Sequence, residues 1–341
     1  MAKRLGKQTA KLDKKVKIIS TYSIVGPKEG QGPLGKYFDK IVQDDMCGCD
    51  NFEKAESQLH YDAVKESISG ANLKEEDINY IFSGDLLNQL FASSFMARDF
   101  NIPYIGMYGA CSNMTETLSV AAMAIEGGFA NYAVASTSSH FSSAERQFRA
   151  PLEMGVQRAP VSQWTVTGAG AMILSECGAK NLPCITHITT GKVKDYGIKD
   201  PNEMGAAMAP AAVDTIKQHL EDTNRDANYY DLIVTGDLGK VGKKITKELL
   251  ASCGYDIKEN YIDCGEEIFD AEKQGTQSGG SGCGCSATVM SSYIYKNLLK
   301  GNLKKVLLVS TGALLSSISP FQGETIPGIA HAVAVEIGDD N

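Results

Sequence analysis

The sequence lacks any sign of export or membrane insertion. No apolar run approaches the ~18 residues that a membrane-spanning helix needs. The basic N-terminus is not followed by the apolar segment of a secretory signal. The nine cysteines have the irregular spacing of free thiols rather than of a disulfide framework. We therefore expect a soluble intracellular protein in a reducing compartment.

Beyond the first residues, acidic side chains outnumber basic ones. The 341-residue chain carries a net charge of -8, yet residues 1–17 hold seven Lys or Arg and one Asp, a local +6 that leaves -14 for the rest. An acidic body argues against nucleic-acid binding, which requires clustered cations. We predict that the basic arm, residues 1–17, is a disordered tail. An electrostatic contact with anionic lipid or an acidic partner is the alternative.

Metal-binding cysteine spacing is also missing. The pairs Cys47/Cys49 and Cys283/Cys285 are closer in sequence than the two cysteines of a usual zinc half-site, and no histidine is near either pair in sequence. We predict neither a metal nor a cofactor.

What the sequence does contain is an internal duplication. Four segments of the first half recur in the same order in the second half, with small drifts in spacing. The matched pairs are Tyr80–Leu86 with Leu232–Leu238, the turn around Cys111 with the turn around Cys285, Ala133–Thr137 with Leu307–Thr311, and Gly168–Glu176 with Gly328–Glu336. The chain is therefore interpreted as a tandem repeat of one unit.

Periodicity predicts the elements of each unit. Apolar residues at helical spacing favour helices over Ala55–Ile68 and Pro210–Leu220. Nearly all-apolar runs predict strands covered by helices on both faces, at Tyr80–Phe82, Tyr132–Ala135, Leu232–Val234 and Val306–Val309. This alternation predicts an α/β fold. We place the N-terminal half at residues 18–180 and the C-terminal half at residues 181–341.

A long insertion separates two of these elements. Residues 140–167 contain Arg146, Arg149 and Arg158. A loop of this length in a compact domain is usually functional or interfacial.

The duplicated unit, the Gly109–Ser112 turn and the closing Gly-rich strands resemble the thiolase and ketoacyl-synthase superfamily over nearly the whole chain. Four segments more narrowly resemble the stage V sporulation protein AD family of spore-forming bacteria. They are GACSNMTETLS at 109–119, ASTSSHFSSAERQFR at 135–149, WTVTGAGA at 164–171 and STGALLSSISPFQGETIPGIAHAV at 310–333.

The superfamily resemblance implies a duplicated thiolase-like fold with α-β-α-β-α layers. It also implies a homodimer that pairs through the strand after the cysteine helix, Tyr132–Ala135. The narrower resemblance implies a protein that binds dipicolinic acid during its uptake into the developing spore. It further implies membrane-embedded partners, the stage V A-operon proteins, and peripheral association with the spore inner membrane.

Cys111 stands where condensing enzymes of the superfamily carry a nucleophilic thiolate. The resemblance places a catalytic His near Gly236 and Asp237, and a His or Asn at Cys283, so neither expected partner is present. An aspartate close to Cys111 would also disfavour a thiolate. We predict no enzyme; the alternative is an acyl-thioester transferase or ketoacyl-synthase-like enzyme that uses Cys111.

A dipicolinate pocket should combine an apolar slot with hydrogen-bond donors and at least one cation. The candidates from the first half are Cys111, Asn113 and His140, and those from the second half are Thr311, Ser316 and Ser317. One arginine of the insertion could neutralise the carboxylates, although each of these arginines is more often a solvated or interface residue than a ligand contact. His140 could instead be a turn histidine that bonds the backbone, and Thr311 and the two serines could do the same. The ligand could be the free acid or its calcium chelate. A third hypothesis is a scaffold whose pocket is vestigial.

Overall fold

The computed structural model describes residues 3–148, 158–257 and 259–338, which form a mixed α/β fold. The strands are β1 Lys3–Leu5, β2 Thr9–Val25, β3 Lys40–Ile41, β4 Tyr80–Gly84, β5 Tyr104–Gly106, β6 Tyr132–Ser139, β7 Trp164–Thr165, β8 Gly168–Ser175, β9 Pro183–Thr189, β10 Leu232–Thr235, β11 Tyr261–Asp263, β12 Gly280–Ser281, β13 Lys305–Ala313 and β14 Gly328–Ile337.

The helices are α1 Pro27–Gly30, α2 Phe52–Gly70, α3 Phe91–Arg98, α4 Asn113–Glu126, α5 Phe141–Phe148, α6 Met204–Thr223, α7 Gly239–Ser252, α8 Cys264–Ile268, α9 Ala271–Gln274, α10 Cys283–Val289 and α11 Tyr295–Leu299. A π-helical turn, Met290–Ile294, joins α10 to α11. The helix predicted over Ala55–Ile68 is α2, and the one predicted over Pro210–Leu220 is the longer α6, which contains Pro210.

The strand order repeats between the halves. The first half reads β2-β8-β6-β4-β5 and the second reads β9-β14-β13-β10-β11. In the first half β4 is parallel to β5 and β6, and in the second half β10 is parallel to β11 and β13. The Gly-led closing strand of each half, β8 or β14, is antiparallel to its neighbours. The connectivity confirms the duplicated α/β fold, while the boundary predicted at 180/181 falls in the connection between β8 and β9 and stays a prediction.

Strand β2 joins the two halves into one sheet. Its first part, Thr9–Lys17, pairs with β9, and its second part, Lys17–Val25, pairs with β8. Helix α4 and the α10–α11 segment share one hydrophobic core with β2, β8 and β13, between the two half-sheets. Helices α2 and α3 cover the first half-sheet from outside, and α6 and α7 cover the second. The result is the five-layer α-β-α-β-α order.

The basic arm is not the disordered tail that composition predicts. Its described part, residues 3–17, forms β1 and the first half of β2, so the boundary at residue 17 falls inside a strand. The Asp222 carboxylate accepts the backbone N–H groups of Lys7, Gln8 and Thr9 at 2.8–2.9 Å. Alternating polar and apolar residues therefore made a strand here, because β9 supplied a partner.

The structure also corrects the strand expected at the dimer interface. Both edges of β6 are occupied, by β4 on one side and by β8 on the other, so Tyr132–Ala135 cannot pair with a second copy. The open edge of this half-sheet is β5. Within the described residues, no helix is long and apolar enough to cross a membrane.

Candidate binding site around Cys111

The Cys111 turn is shaped by residues from both halves. Ala110 has a left-handed backbone (φ 51°), and the Ser112 hydroxyl donates to the Gly109 carbonyl at 2.8 Å. Gly312, at the end of β13, lies so close that a Cβ there would sit 2.3 Å from the Gly109 carbonyl oxygen. A larger residue would push the second half away from the turn. Cys111 itself is 5% exposed.

Asp237 reaches Cys111 from the second half. It follows β10 and is buried. One carboxyl oxygen accepts from the Gly282 N–H at 2.9 Å and the other from the Thr311 hydroxyl at 2.8 Å. The carboxyl also lies beside the Cys111 thiol, whose pKa it raises. The sequence left open whether Asp237 lies near Cys111, and in the structure the two side chains are neighbours.

This environment favours the neutral thiol. Burial raises the pKa of Cys111 well above its usual value, and the nearby Asp237 carboxyl and Cys283 raise it further. Burial likewise raises the pKa of Asp237 to about 7, against the opposing effect of its hydrogen bonds to Gly282 and Thr311. Cys283 donates its own thiol to the Ser138 carbonyl at 2.9 Å. A helix N-terminus normally favours a thiolate, but burial and the adjacent carboxyl outweigh it here.

A cleft with two parts leads to Cys111. The inner part, which we call the throat, has a volume of about 30 Å³, enough for roughly two water molecules. The outer part, the basin, has a volume of about 560 Å³ and shares Tyr108, Phe148 and Leu315 with the throat. A ligand larger than water must therefore sit in the basin unless the throat widens.

The basin wall combines leucines with uncharged polar groups. Its polar members are Asn88, Gln89, Ser316, Ser319 and Thr325. The described lining of throat and basin contains no lysine or arginine.

Two predicted first-half residues bond the protein itself. The Asn113 amide accepts from the Gly109 N–H at 2.6 Å and donates to the Asp85 carbonyl at 3.3 Å. His140 accepts the Ser142 N–H at Nδ1, so its Nε2 carries the proton that it donates to the Asp45 carbonyl at 2.8 Å. Burial lowers the pKa of His140, which favours the neutral ring. Both side chains are hydrogen-bonded to backbone groups of the protein, and neither is part of the cleft lining.

The second-half candidates differ in whether they line the cleft. Thr311 is buried and bonded to Asp237. Ser316 is exposed on the basin wall, where its hydroxyl also accepts the Ser319 N–H at 3.0 Å. Ser317 is half-buried and is not among the lining residues. Of the six predicted residues, the cleft lining therefore includes Cys111 and Ser316.

The insertion arginines are paired where they are described. Arg146 bonds Glu53 of α2, and Arg158 pairs at 3.2 Å with Glu145, a buried carboxyl of the throat wall. Arg158 also lies over the Trp164 ring, 5.1 Å from its centroid. Arg149 lies outside the described residues. Neither Arg146 nor Arg158 is therefore the charge-neutralising arginine that the sequence predicts.

Sequence reasoning missed most of the cleft wall. Tyr108, Phe148, Met204 and Leu315 come from four separate segments, and no motif connects them. Gln89 and Leu90 both have left-handed backbones, which non-glycine residues rarely adopt, and both line the basin. Nothing in their residue types predicts that conformation.

Comparison with solved structures defines the class. OleA of Xanthomonas campestris with bound lauric acid and lauroyl-CoA matches with a TM-score of 0.60 at 14% identity, covering 94% of this chain and 99% of that one. The 3-oxoacyl-[acyl-carrier-protein] synthase III of Aquifex aeolicus matches with a TM-score of 0.55 at 15% identity, with 94% and 99% coverage. This chain is therefore a thiolase-fold protein; at such identities the likeness extends to the fold alone.

Sequence comparison narrows the class to one family. The family described as Stage V sporulation protein AD matches residues 6–336. The Stage V sporulation protein AD of Bacillus subtilis (strain 168) is 47% identical over 334 residues, 98% of each chain. The chain belongs to the stage V sporulation protein AD family, which supports a role in sporulation.

Proposed function

We propose that this chain is a non-catalytic dipicolinic acid-binding protein that works with membrane-embedded partners, the stage V A-operon proteins, in uptake of the acid into the developing spore. The observation that carries the non-catalytic part is the position of the buried Asp237 carboxyl beside Cys111. A buried carboxyl that raises the pKa of the thiol works against nucleophilic attack at neutral pH. The ligand itself is suggested by the family.

The basin is the part of the cleft with room for the ligand. Its leucines could cover the pyridine ring, and its hydroxyl and amide groups could bond the carboxylates. Dipicolinate alone is a dianion, whereas its one-to-one calcium chelate is neutral. Because the described lining offers no lysine or arginine, the cleft favours the chelate over the free acid.

Calorimetry tests this proposal. Calcium dipicolinate should bind the wild type and bind more tightly than sodium dipicolinate. Leu315→Trp, which fills the boundary between throat and basin, should abolish the heat. Leu299→Trp, at an exposed leucine outside the cleft, is the matched control and should bind normally. A folded wild-type sample that gives no heat at millimolar ligand would refute the proposal.

An acyl-thioester transferase or ketoacyl-synthase-like activity is the second candidate. One observation favours it, namely that the basin opens through an apolar throat to the Cys111 thiol. Incubation with lauroyl-CoA followed by intact-mass measurement separates the two candidates. Our proposal expects an unmodified chain, and an acyl adduct on Cys111 would favour the enzyme.

The assembly of the protein is part of the same proposal. The homodimer remains a prediction, and if it forms by sheet extension in the first half, β5 is the strand available. Peripheral association with the spore inner membrane also remains a prediction. Sedimentation velocity tests the first; flotation of the protein with membranes of sporulating cells tests the second.

A further inference from the structure

The N-terminal segment folds into a hairpin that carries many cations. Strand β1 runs antiparallel to the start of β2, and we call residues 3–17 the basic hairpin. It contains seven Lys or Arg and one Asp. Within the described parts of the chain, its exposed cations form no ion pair. These exposed cations are Lys3, Arg4, Lys7, Lys11 and Lys15.

The strand register brings like charges together. Lys3 of β1 stands directly opposite Lys11 of β2. Side chains of opposite residues lie on the same face of the hairpin, and like charges at such positions are destabilising. The fold therefore gains nothing from this pair of lysines. An anionic partner on this face would remove their repulsion.

The neighbouring carboxylates do not neutralise the basic hairpin. Asp222 accepts three of its backbone N–H groups, and Glu126 accepts the N–H of Lys14 at 2.9 Å. Glu176 pairs with the Lys14 ammonium at 2.9 Å. These three carboxylates and Asp13 stand against seven cations, which leaves a local charge of +3 on a chain whose net charge is -8.

The basic hairpin is also fixed on the second half. The first part of β2 pairs with β9, and the Asp222 carboxylate packs against the turn. Gly6 of this turn has a left-handed backbone (φ 52°), and a Cβ there would sit 2.0 Å from an Asp222 carboxyl oxygen. Because the backbone is already ordered, a partner would bind it without the cost of ordering a tail.

Two features favour a lipid surface over a protein as this partner. Residues 3–17 expose no large hydrophobic side chain, whereas the centre of a protein interface is apolar and depleted of charge. Six of the seven cations are lysines, which act as point charges on flexible stems; arginine is the residue suited to bidentate recognition of a single carboxylate or phosphate. A plane of acidic headgroups needs charge density rather than such geometry.

We infer that the basic hairpin is the surface by which the protein docks on an anionic phospholipid bilayer, with Lys3, Lys7 and Lys11 near the headgroups. The inference rests on the membrane association in the proposed function and identifies the surface responsible for it. Because the rest of the chain is acidic, the bilayer attracts this surface and repels the body, which orients the protein.

Flotation with vesicles of phosphatidylglycerol and phosphatidylcholine tests this surface. The wild type should bind the mixed vesicles at about 0.1 M salt, should not bind phosphatidylcholine alone, and should be released at about 1 M salt, where the Debye length falls to about 3 Å. Each cation near such a surface strengthens binding on the order of fivefold. The combined variant Lys3→Gln, Lys7→Gln and Lys11→Gln should therefore bind about a hundredfold more weakly, with thermal melts to confirm its fold.

Two controls match this variant. The same three lysines replaced by arginine keep the charge and should bind like the wild type. Helix α7 offers three other exposed lysines, and their loss removes the same charge from a different surface; the control is Lys240→Gln, Lys244→Gln and Lys247→Gln. It should also bind like the wild type. The inference is overturned if the wild type does not bind the mixed vesicles, or if the α7 variant loses as much binding as the hairpin variant.

Further outcomes separate this inference from its alternatives. If membranes of sporulating cells retain the protein through the hairpin lysines but protein-free vesicles do not, the partner is an acidic membrane protein and lipid docking is wrong. If the vesicles fail to bind while calcium dipicolinate still gives heat, the inference is wrong and the proposed ligand stands. Hairpin-dependent vesicle binding without dipicolinate heat would support the inference and refute the proposed ligand.

Discussion

The repeated motif Ser/Thr-Gly-Asp-Leu places one aspartate at the same point of each half, with different roles. Asp85 follows β4, and both of its carboxyl oxygens accept hydrogen bonds from residues of the first half. One oxygen accepts from the Leu87 N–H at 2.8 Å, and the other accepts from the N–H and hydroxyl of Ser93 at 2.7 and 2.6 Å. Asp237, after β10, accepts from Gly282 and Thr311 of its own half and also lies beside Cys111 of the other half, whose pKa it raises. Duplication therefore preserved the residue but not its role.

A third aspartate explains how this difference is possible. In the second half Asp263 accepts the N–H groups of Leu238 and Gly239, at 2.9 and 2.8 Å, at the start of α7. This is the kind of support that Asp85 provides to the loop before α3. Because Asp263 holds the loop in the second half, Asp237 is free to face the Cys111 turn.

The largest expected effect comes from the isosteric pair Asp85→Asn and Asp237→Asn. Asp85 accepts donors on both oxygens, so an amide nitrogen would face an N–H; we expect a loss of about 3 kcal/mol in unfolding free energy. At Asp237 the amide could donate to the Thr311 hydroxyl, and we expect a change within about 1 kcal/mol. Urea unfolding at pH 8 measures both. Equal losses would show that the two aspartates have the same structural role.

The pH dependence of stability gives the next largest effect. The pKa of Asp237 is about 7 in the folded protein and near 3.8 when unfolded. A raised acid pKa gives stability that is present below pH 4 and is lost as the pH rises through about 7. Asp237→Asn should therefore lose less stability than wild type between pH 5 and pH 8, by on the order of 2 kcal/mol.

The wild-type curve contains other groups that the variant keeps. Burial also raises the pKa of Glu29 and of Glu56 to about 8. Their contribution cancels when the stability curve of the variant is subtracted from that of the wild type. Parallel curves would mean that Asp237 is not the acid of raised pKa that the account requires.

The smallest expected effect tests a second link between the halves. His331 of β14 donates from Nε2 to Glu116 of α4 at 3.0 Å and accepts the Gly191 N–H at Nδ1. His331→Ala should cost about 1 kcal/mol, while Glu116→Gln keeps an acceptor and should cost less. Combined with Asp237→Asn, the loss should be additive if the two links are independent. A coupling above about 0.5 kcal/mol would make them one network.

Much of the fold could be predicted from the sequence. The duplication followed from four matched segments, and the strand runs predicted the order of elements because buried strands must be apolar on both faces. The arm and the dimer strand failed for one reason, that strand pairing is set by tertiary neighbours. Neither β9 beside the arm nor β8 beside β6 is visible in local pattern.

The candidate site was less predictable. Cys111 was found because its turn chemistry identifies it, and the repeat pointed to Asp237, but the sequence did not show that the two side chains are neighbours. Asn113 and His140 were assigned to the ligand by residue type, yet their polar atoms are taken by nearby backbone. A sequence shows which groups can bond a ligand, but not which are already bonded.

The most direct test of the account is the alkylation of Cys111 by iodoacetamide across pH, followed by peptide mass spectrometry. We expect wild-type Cys111 to resist labelling at pH 7 and to react only at pH values well above its usual pKa of ~8.5. Asp237→Asn should react at least about tenfold faster at pH 8, since a shift of one pKa unit is a tenfold change in thiolate. Wild-type labelling with a midpoint at or below pH 7, unchanged in the variant, would contradict the claim that Asp237 holds Cys111 as a thiol.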